Sequence, residues 1–343
     1  MLRQELFYFL IFEMSILSTM LQEKIFNIQT SEGFKAVALE VFNFQYEHVK
    51  VYREFCDMLK VNPKQITTIS EIPFLPIQFF KSHQIIAEGY SEETIFTSSG
   101  TTGSITSKHY VANTRLYEES FNRAFQNQYG KPTDYTILAL LPSYLEREGS
   151  SLIYMVDSLI KQSKNQHSGF YLNNMDALIE KLTFLEAEGH KTMLLGVSYA
   201  LLDLIETQTF QFINTIVMET GGMKGRRKEM IKEELHRILQ QGFGVFEIHS
   251  EYGMTELLSQ AYSTGKGIFT CPPWMKILTR DTEDPFTYLD GKTGGINVID
   301  LANLYSCSFI ATQDLGKTHP NGTFEVLGRF DDSDIRGCNL MVL

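Results

Sequence analysis

Apolar residues recur along the chain at two spacings, which predict helices alternating with buried strands. Apolar positions three and four residues apart predict helices over residues 31–60, 115–128, 150–162, 175–188, 199–206 and 226–240. Short continuous apolar runs predict buried strands over residues 135–141, 191–196 and 214–218. This alternation predicts a doubly wound α/β sheet, in which ligands bind beyond the carboxyl ends of the strands.

Two segments outside this alternation are marked by proline or glycine. Residues 70–81 contain Pro73 and Pro76, which argue against a helix or a central strand and predict a connector. Gly294 and Gly295 predict a turn, followed by a strand that ends near residue 299.

Composition narrows the class of protein. The chain has 343 residues and a net charge of −11, with 43% hydrophobic and 21% charged residues, as in soluble globular proteins. It has no basic run, which argues against nucleic acid as a partner. The four cysteines are scattered without a Cys-x-x-Cys pair, which predicts reduced thiols in a cytoplasmic protein. No membrane span is expected.

The densest chemical signal is the hydroxyl-rich sequence TSSGTTGSITSK at residues 97–108. Glycine permits the positive φ angles that turn successive backbone N–H groups inward, and the hydroxyls supply further donors. Lys108 adds a positive charge. Such a loop suits a polyphosphate, although it lacks the Gly-Lys-Ser/Thr of the Walker pattern. The alternative interpretation is an ordinary surface loop.

Two segments of the second half carry further candidate chemistry. The glycine-rich sequence ETGGMKG at residues 219–225 follows a predicted strand and predicts a turn that holds a flat ring or a phosphate. A simple tight turn is the alternative. In the sequence HSEYGMTE at residues 249–256, Tyr252 suits stacking on a base, Thr255 suits a phosphate, and Glu256 is an oxygen ligand suited to Mg²⁺.

Three of these segments together resemble the adenylate-forming superfamily, which includes acyl-CoA synthetases, luciferases and peptide-synthetase adenylation domains. Residues 98–108, 252–256 and 311–316 match its motifs in order, with Gln313 replacing a glycine in the last one. Within that superfamily, the chain looks most like the LuxE-type acyl-protein synthetases, an interpretation that the Gly-Gly-Met-Lys-Gly at residues 221–225 favours. The resemblance extends from about Met20 to Leu343.

The resemblance implies ATP and Mg²⁺ as cofactors. The implied nucleotide-binding residues are Ser98, Ser99, Gly100, Thr101, Thr102, Gly103, Gly221, Gly222, Tyr252, Asp314 and Arg329. Lys108, Thr255 and Glu256 are the implied catalytic residues at the phosphates, and Glu256 is also the implied metal ligand. Asp314 would bind the ribose hydroxyls, and Arg329 would reach the ribose or a phosphate.

The resemblance also divides the chain into three parts. Residues 1–80 are expected to form a helical segment, residues 81–330 an AMP-binding adenylation core, and residues 331–343 a hinge remnant and tail. The superfamily's small C-terminal domain is therefore expected to be absent. Residues 1–19 are either a docking helix or sequence added by a misassigned start, and the second interpretation is favoured.

The expected function is ATP-dependent activation of a carboxylic acid, with a fatty acid as the leading case. The acyl-AMP would then react with a thiol. Cys338 matches the family's acylated cysteine near the C-terminus, with an inert buried cysteine as the alternative. The expected partners are the acid and an acyl-accepting reductase or carrier protein. Two alternatives stay open: a ligase that acylates CoA or a carrier protein without self-acylation, and a non-catalytic nucleotide-binding module.

Overall fold

The computed structural model describes residues 17–99, 105–142, 149–221, 227 and 230–330. The described helices are α1 (residues 17–26), α2 (Ser31–His48), α3 (Lys50–Met58), α4 (Phe79–Ser82), α5 (Thr114–Tyr129), α6 (Ser151–Ser163), α7 (Met175–Ala187), α8 (Ser198–Thr207) and α9 (Lys232–Phe243). The described strands are β1 (Leu75–Pro76), β2 (Thr94–Thr97), β3 (Lys108–Val111), β4 (Thr136–Leu140), β5 (Gly169–Phe170), β6 (Thr192–Val197), β7 (Thr215–Thr220), β8 (His249–Tyr252), β9 (Ala261–Ser263), β10 (Ile268–Phe269), β11 (Met275–Arg280), β12 (Tyr288–Leu289), β13 (Thr293–Asp300), β14 (Phe309–Thr318) and β15 (Phe324–Arg329). Among these elements, no helix has the length and apolar character needed to cross a membrane.

One sheet has the strand order β5-β4-β6-β7-β8-β9, with all but β9 parallel to their neighbours. The chain passes from β4 through α6 to β5, then returns past β4 through α7 to β6, and continues through α8 and α9. Because such crossovers are right-handed, this reversal places α6 on one face and α7 to α9 on the other. The predicted doubly wound arrangement is therefore found in this sheet.

The second large sheet has the order β10-β15-β14-β13-β11-β12, and its neighbouring strands are antiparallel. The two-residue β1 pairs in parallel with β14. Gly294 and Gly295, which predict a turn, both lie inside β13. Side chains there would collide with Arg280: a Cβ at Gly294 with its carbonyl oxygen, and a Cβ at Gly295 with its guanidinium. Glycine thus serves close packing at these positions.

The hydroxyl-rich segment joins β2 and β3, which pair as an antiparallel hairpin. Beyond the last paired residues of the two strands, the Ser98 backbone N–H donates to the Ser107 carbonyl at 3.1 Å. The Ser107 N–H donates in turn to Ser98 Oγ at 2.9 Å. The base of the loop is therefore fixed by the hairpin.

The predicted helices of residues 115–128, 150–162, 175–188 and 199–206, and the three predicted strands, agree with the structure to within two residues at each end. The helix predicted over residues 31–60 is two helices, because Val49 has an extended backbone with φ −103° and ψ 95°. The helix predicted from residue 226 begins at Lys232, since Ile231 is also extended. β7 continues to Thr220, so Glu219 lies in a strand and not in a turn.

A buried glutamine on α2 connects the N-terminal helices to the antiparallel sheet. The Gln45 amide nitrogen donates to the carbonyls of Asn303 at 3.0 Å and Leu304 at 2.9 Å. Its oxygen accepts a hydrogen bond of 3.0 Å from the Ser308 N–H. The turn between β13 and β14 is thus oriented by α2.

A buried carboxyl group, Asp300, closes a second polar network. It accepts hydrogen bonds from the backbone N–H groups of Leu258 at 2.7 Å and Ser259 at 2.9 Å. The Ser259 hydroxyl also donates to Asp300 and accepts a hydrogen bond from the Trp274 indole. Burial raises the pKa of Asp300 to about 6, although these hydrogen bonds oppose the shift. Asp300 thereby attaches the segment after β8 to the end of β13.

The raised pKa of Asp300 predicts a pH-dependent stability. The folded chain holds this proton up to about pH 6, whereas the usual pKa is 3.8. The folded state therefore gains most from this group at low pH, and the gain is lost as the pH rises through about 6. For Asp300→Asn, the free energy of unfolding relative to the unaltered chain should rise by up to about 3 kcal/mol between about pH 4 and pH 7. Urea unfolding of both proteins across this pH range measures the difference in the free energy of unfolding.

The matched control is Asp290→Asn, at an exposed position with no comparable burial. If the free energy of unfolding of Asp300→Asn changes with pH in the same way as that of the unaltered chain, the raised pKa of Asp300 is contradicted.

Candidate functional site

The carboxyl end of the parallel sheet meets the antiparallel sheet at Tyr252 and Asp314. Tyr252 is the last residue of β8, and its buried hydroxyl donates to Asp314 Oδ2 at 2.8 Å. Asp314 lies on β14, opposite Arg329 on β15. Two of the sequence-predicted site residues, far apart in the chain, are therefore in direct contact.

The Asp314 carboxylate has a different partner on each oxygen. Arg329 Nε lies 3.4 Å from Oδ1, and this arginine side chain is 69% exposed. The Asp314 backbone N–H donates to Thr312 Oγ1 at 3.1 Å, which fixes the strand at this residue. Burial raises the pKa of Asp314, while Tyr252, Arg329 and Arg280 oppose the shift. The group is a buried acceptor at the edge of solvent, suited to hydroxyl donors.

Glu256 lies close to this pair. Its side chain is buried, and burial raises its pKa, although a hydrogen bond with Ser107 and the positive charge of Arg329 oppose the shift. The negative charge of Asp314 adds to the rise. Since Ser107 belongs to the hydroxyl-rich hairpin, the structure brings that hairpin, Glu256 and Asp314 into one region.

The remaining predicted residues surround this region in different ways. Lys108 is exposed on β3, immediately after Ser107, whereas Thr255 is half-buried, and its carbonyl lies against His109. Ser98 is half-buried and Ser99 is exposed. Gly221 has a φ of +64°, and its carbonyl accepts a hydrogen bond of 2.7 Å from Ser198 Oγ. Six predicted site residues lie outside the described residues: Gly100, Thr101, Thr102, Gly103, Gly222 and Cys338.

The residues present are compatible with a magnesium ion held mainly by a bound polyphosphate. Among the described residues, no group of three or more His, Cys, Asp or Glu is arranged to hold a metal ion. Mg²⁺ commonly takes one or two protein carboxylates and completes its shell with phosphate and water oxygens. Burying carboxylates is unfavourable, and burial raises the pKa values of Glu256 and Asp314 although Arg329 opposes both shifts. Glu256 therefore suits the role of a single protein ligand.

Arg280 is a site component that the sequence analysis missed. Its buried guanidinium donates to Ile296 O at 2.8 Å, Asn297 Oδ1 at 2.7 Å and Thr312 O at 2.6 Å. Burial lowers the pKa of Arg280 to about 10, and the charge of Asp314 opposes that shift. The guanidinium thus fixes β13 and β14 beside Asp314 and supplies a buried positive charge. The sequence signal for this packing was the glycine pair 294–295, because Gly295 leaves room for the guanidinium and Gly294 for the Arg280 carbonyl oxygen.

Glu219 forms a separate charged cluster at the end of β7. It is 3% exposed and lies 2.6 Å from Lys232 Nζ, and Ser198 Oγ donates to its other oxygen at 3.2 Å. Burial favours a higher pKa, but Lys232 and hydrogen bonds from His236 and Ser250 lower the pKa of Glu219 to about 2. Lys232 is thereby paired inside the protein. Among the described residues of this region, Lys108 and Arg329 are exposed cations.

Comparison with known protein families gives a match for the first part of the chain. Residues 14–140 match the family model described as acyl-protein synthetase, LuxE. This segment is LuxE-like. It contains the hydroxyl-rich hairpin and Lys108, so the resemblance to the LuxE-type acyl-protein synthetases is confirmed for this part of the chain. The LuxE-like segment and the nucleotide-type motifs downstream of it meet at Ser107 and Glu256.

A curated relative supports the same assignment. The chain is 39% identical over 70 residues to the long-chain-fatty-acid–luciferin-component ligase of Photorhabdus luminescens. That alignment spans 20% of this chain and 60% of the relative, which is less than two thirds of the relative's length.

Solved structures show the fold. The 2-hydroxyisobutyryl-CoA ligase, in complex with 2-HIB-AMP and CoA, superposes with a TM-score of 0.66 at 12% identity, over 89% of this chain and 72% of the ligase. ATP-bound MatB from Rhodopseudomonas palustris gives 0.52 at 19% identity, over 68% of this chain and 47% of MatB. The chain therefore has an α/β fold that resembles the N-terminal domain of adenylate-forming enzymes.

A glycine substitution tests the packing of Arg280. A Cβ at residue 295 would lie 2.8 Å from Arg280 Cζ, so Gly295→Ala must displace the guanidinium. We expect the free energy of unfolding to fall by about 1–3 kcal/mol, the usual cost of overpacking. Urea denaturation measures the change. Gly169→Ala is the control, because its Cβ would meet Tyr171 at an ordinary 3.7 Å. Equal stability of the two variants would contradict the packing argument.

Proposed function

We propose that this chain is an adenylate-forming acyl-protein synthetase. It activates a carboxylic acid with ATP and then transfers the acyl group to a thiol. The observation that carries the proposal is the convergence of the hydroxyl-rich hairpin, Glu256 and the Tyr252–Asp314–Arg329 contacts at the edge of the parallel sheet. The LuxE-like segment and the adenylate-forming fold support it.

In the first step, a carboxylate oxygen of the acid attacks the α-phosphorus of ATP. A bond forms between this oxygen and the α-phosphorus. The bond from the α-phosphorus to the oxygen that bridges it to the β-phosphorus breaks, and pyrophosphate leaves. Lys108, Thr255 and the loop N–H groups would bind the phosphates and stabilise their developing charge. Bound Mg²⁺, held by Glu256, would neutralise phosphate charge.

We propose further roles on the nucleoside side of the site. Asp314 would accept hydrogen bonds from the ribose hydroxyls, with Arg329 alongside. The Tyr252 hydroxyl donates to Asp314, and the tyrosine ring would stack against the base. The turn at Gly221 and Gly222 would lie along the base.

In the second step, a thiolate attacks the acyl carbonyl of the adenylate, a thioester forms, and AMP leaves. The described cysteines Cys56, Cys271 and Cys307 are poor candidates, because burial raises the pKa of each thiol, that of Cys56 to about 12. Cys338 is therefore the proposed acceptor. A fatty acid is the proposed substrate, and a reductase or carrier protein in the cytoplasm is the proposed recipient.

A second candidate is direct transfer to CoA or to a carrier thiol without self-acylation. The resemblance in fold to a ligase solved with CoA favours it. Mass spectrometry of the intact chain after incubation with ATP and a panel of acids distinguishes the two, because only self-acylation adds an acyl mass to the protein. Failure to form any acyl-AMP would instead favour a non-catalytic nucleotide-binding module.

Glu256→Gln tests the first step. The amide keeps the size of the side chain but loses the anionic oxygen that would bind Mg²⁺. We expect acid-dependent ATP–pyrophosphate exchange to fall by about a hundredfold or more. Glu283→Gln, at an exposed loop position, is the matched control and should exchange normally. Unchanged exchange in the Glu256 variant would remove Glu256 from the mechanism.

Cys338→Ser tests the second step. The hydroxyl of serine is a much weaker nucleophile than a thiolate, so exchange should persist while radiolabelled acyl groups no longer stay on the protein. Cys271→Ser is the control, because its half-buried thiol has a raised pKa and should not be the acceptor. Full labelling of the Cys338 variant would assign the acyl group to another acceptor.

A further inference from the structure

A buried histidine contacts the segment that the proposed function assigns to phosphate and magnesium binding. His109 follows Lys108 on β3 and is fully buried. Its Nδ1 lies 2.8 Å from the carbonyl oxygen of Thr255, and its Nε2 lies 2.9 Å from Asn303 Oδ1. Burial lowers the pKa of His109 to about 4, so the ring is neutral near pH 7. Both facing oxygens are acceptors, so the neutral ring donates its single N–H to one of them, and its other nitrogen contacts the second oxygen without a hydrogen bond.

Asn303 extends this contact to the next residue of the same segment. Its Nδ2 donates to the carbonyl oxygens of Glu256 at 2.8 Å and Cys307 at 2.9 Å. The reversed amide would place its oxygen against two carbonyls, so the orientation is determined by its surroundings. Asn303 Oδ1 must therefore face His109. The side chain is buried, which makes the loss of these hydrogen bonds costly.

The pair thus contacts two consecutive backbone carbonyls, those of Thr255 and Glu256. The Thr255 hydroxyl and the Glu256 carboxylate extend from this same stretch of backbone. His109 is also the residue after Lys108 on β3. Its contact with the Thr255 carbonyl therefore holds the hairpin strand that carries Lys108 against the stretch that carries Thr255 and Glu256. The cavity beside the pair has a volume of only about 10 Å³, which leaves little room for the ring to move.

We propose that His109 and Asn303 are positioning residues that set Thr255 and Glu256 relative to Lys108. The inference rests on the proposed function of those three residues. When a residue orients a metal-ligating side chain without binding the metal itself, its replacement typically lowers metal affinity or activity by 10–100-fold. The pair does not touch the reacting atoms, and it acts through the backbone of the segment.

Equilibrium binding of ATP to the full-length chain tests the inference. Isothermal titration calorimetry with ATP is performed in excess Mg²⁺ and in EDTA. His109→Gln should weaken binding in Mg²⁺ by about tenfold and change binding in EDTA by less than twofold. Asn303→Ser should behave in the same way if His109→Gln folds poorly. Unaltered Mg²⁺-dependent affinity in both variants would overturn the inference.

Phe80→Leu is the matched control for general destabilisation. The buried Phe80 ring packs edge-on against His109 with 5.7 Å between centroids, but Phe80 takes no part in the polar contacts of His109 with Thr255 and Asn303. Its replacement should lower the melting temperature while leaving the Mg²⁺ response intact. If Phe80→Leu reproduces the binding loss of His109→Gln, the effect is one of packing and the inference fails.

A double-mutant cycle with Glu256→Gln separates positioning from an independent contribution. If His109 acts through Glu256, adding His109→Gln to the Glu256 variant should change Mg²⁺-dependent binding by less than twofold. If the two substitutions weaken binding independently, so that the factors multiply, His109 does not act through Glu256.

The unaltered chain separates this inference from the proposed function. If it binds ATP with Mg²⁺ but no acid supports pyrophosphate exchange, the acid-activation proposal fails, and the binding comparison still decides the role of His109.

Discussion

Two carboxyl groups of the antiparallel sheet, Asp314 and Asp300, hold residues 252–259 at both ends of that segment. Asp314 accepts a hydrogen bond from the Tyr252 hydroxyl, and Asp300 accepts hydrogen bonds from the backbone of Leu258 and Ser259. The segment begins at the end of the parallel strand β8, and hydrogen bonds attach both of its ends to the antiparallel sheet. Thr255 and Glu256 therefore extend from a backbone with little freedom, as the proposed binding of phosphates requires.

The charge balance of the site follows from that attachment. Burial raises the pKa values of Glu256 and Asp314, the charge of Asp314 adds to the rise at Glu256, and Arg329 opposes both shifts. Arg280 is buried, Arg329 is exposed, and Lys232 is paired with Glu219. A nucleotide with its metal would bring both positive and negative charge to this region.

The sequence predicted the elements whose pattern is local. Helices α5 to α8 and strands β4, β6 and β7 were recognisable because amphipathic periods and continuous apolar runs determine them directly, whereas the two-residue β5 was not predicted. The break at Val49 and the late start of α9 at Lys232 depend on backbone conformation at one residue and have no periodic signal. The two glycines of β13 were interpreted as a turn before a strand, although they lie inside that strand and pack against Arg280.

The candidate site shows the same division. Motif wording identified Tyr252, Glu256, Asp314 and Arg329, and the structure places them together. His109, Arg280 and Asn303 were missed, because each acts through tertiary hydrogen bonds to backbone carbonyls that no linear pattern encodes. The buried Gln45 extends this dependence to α2, since its amide bonds to the Asn303 carbonyl. A fragment trimmed to the motif-bearing residues would lack this helix, and with it the hydrogen bonds that orient the turn carrying Asn303.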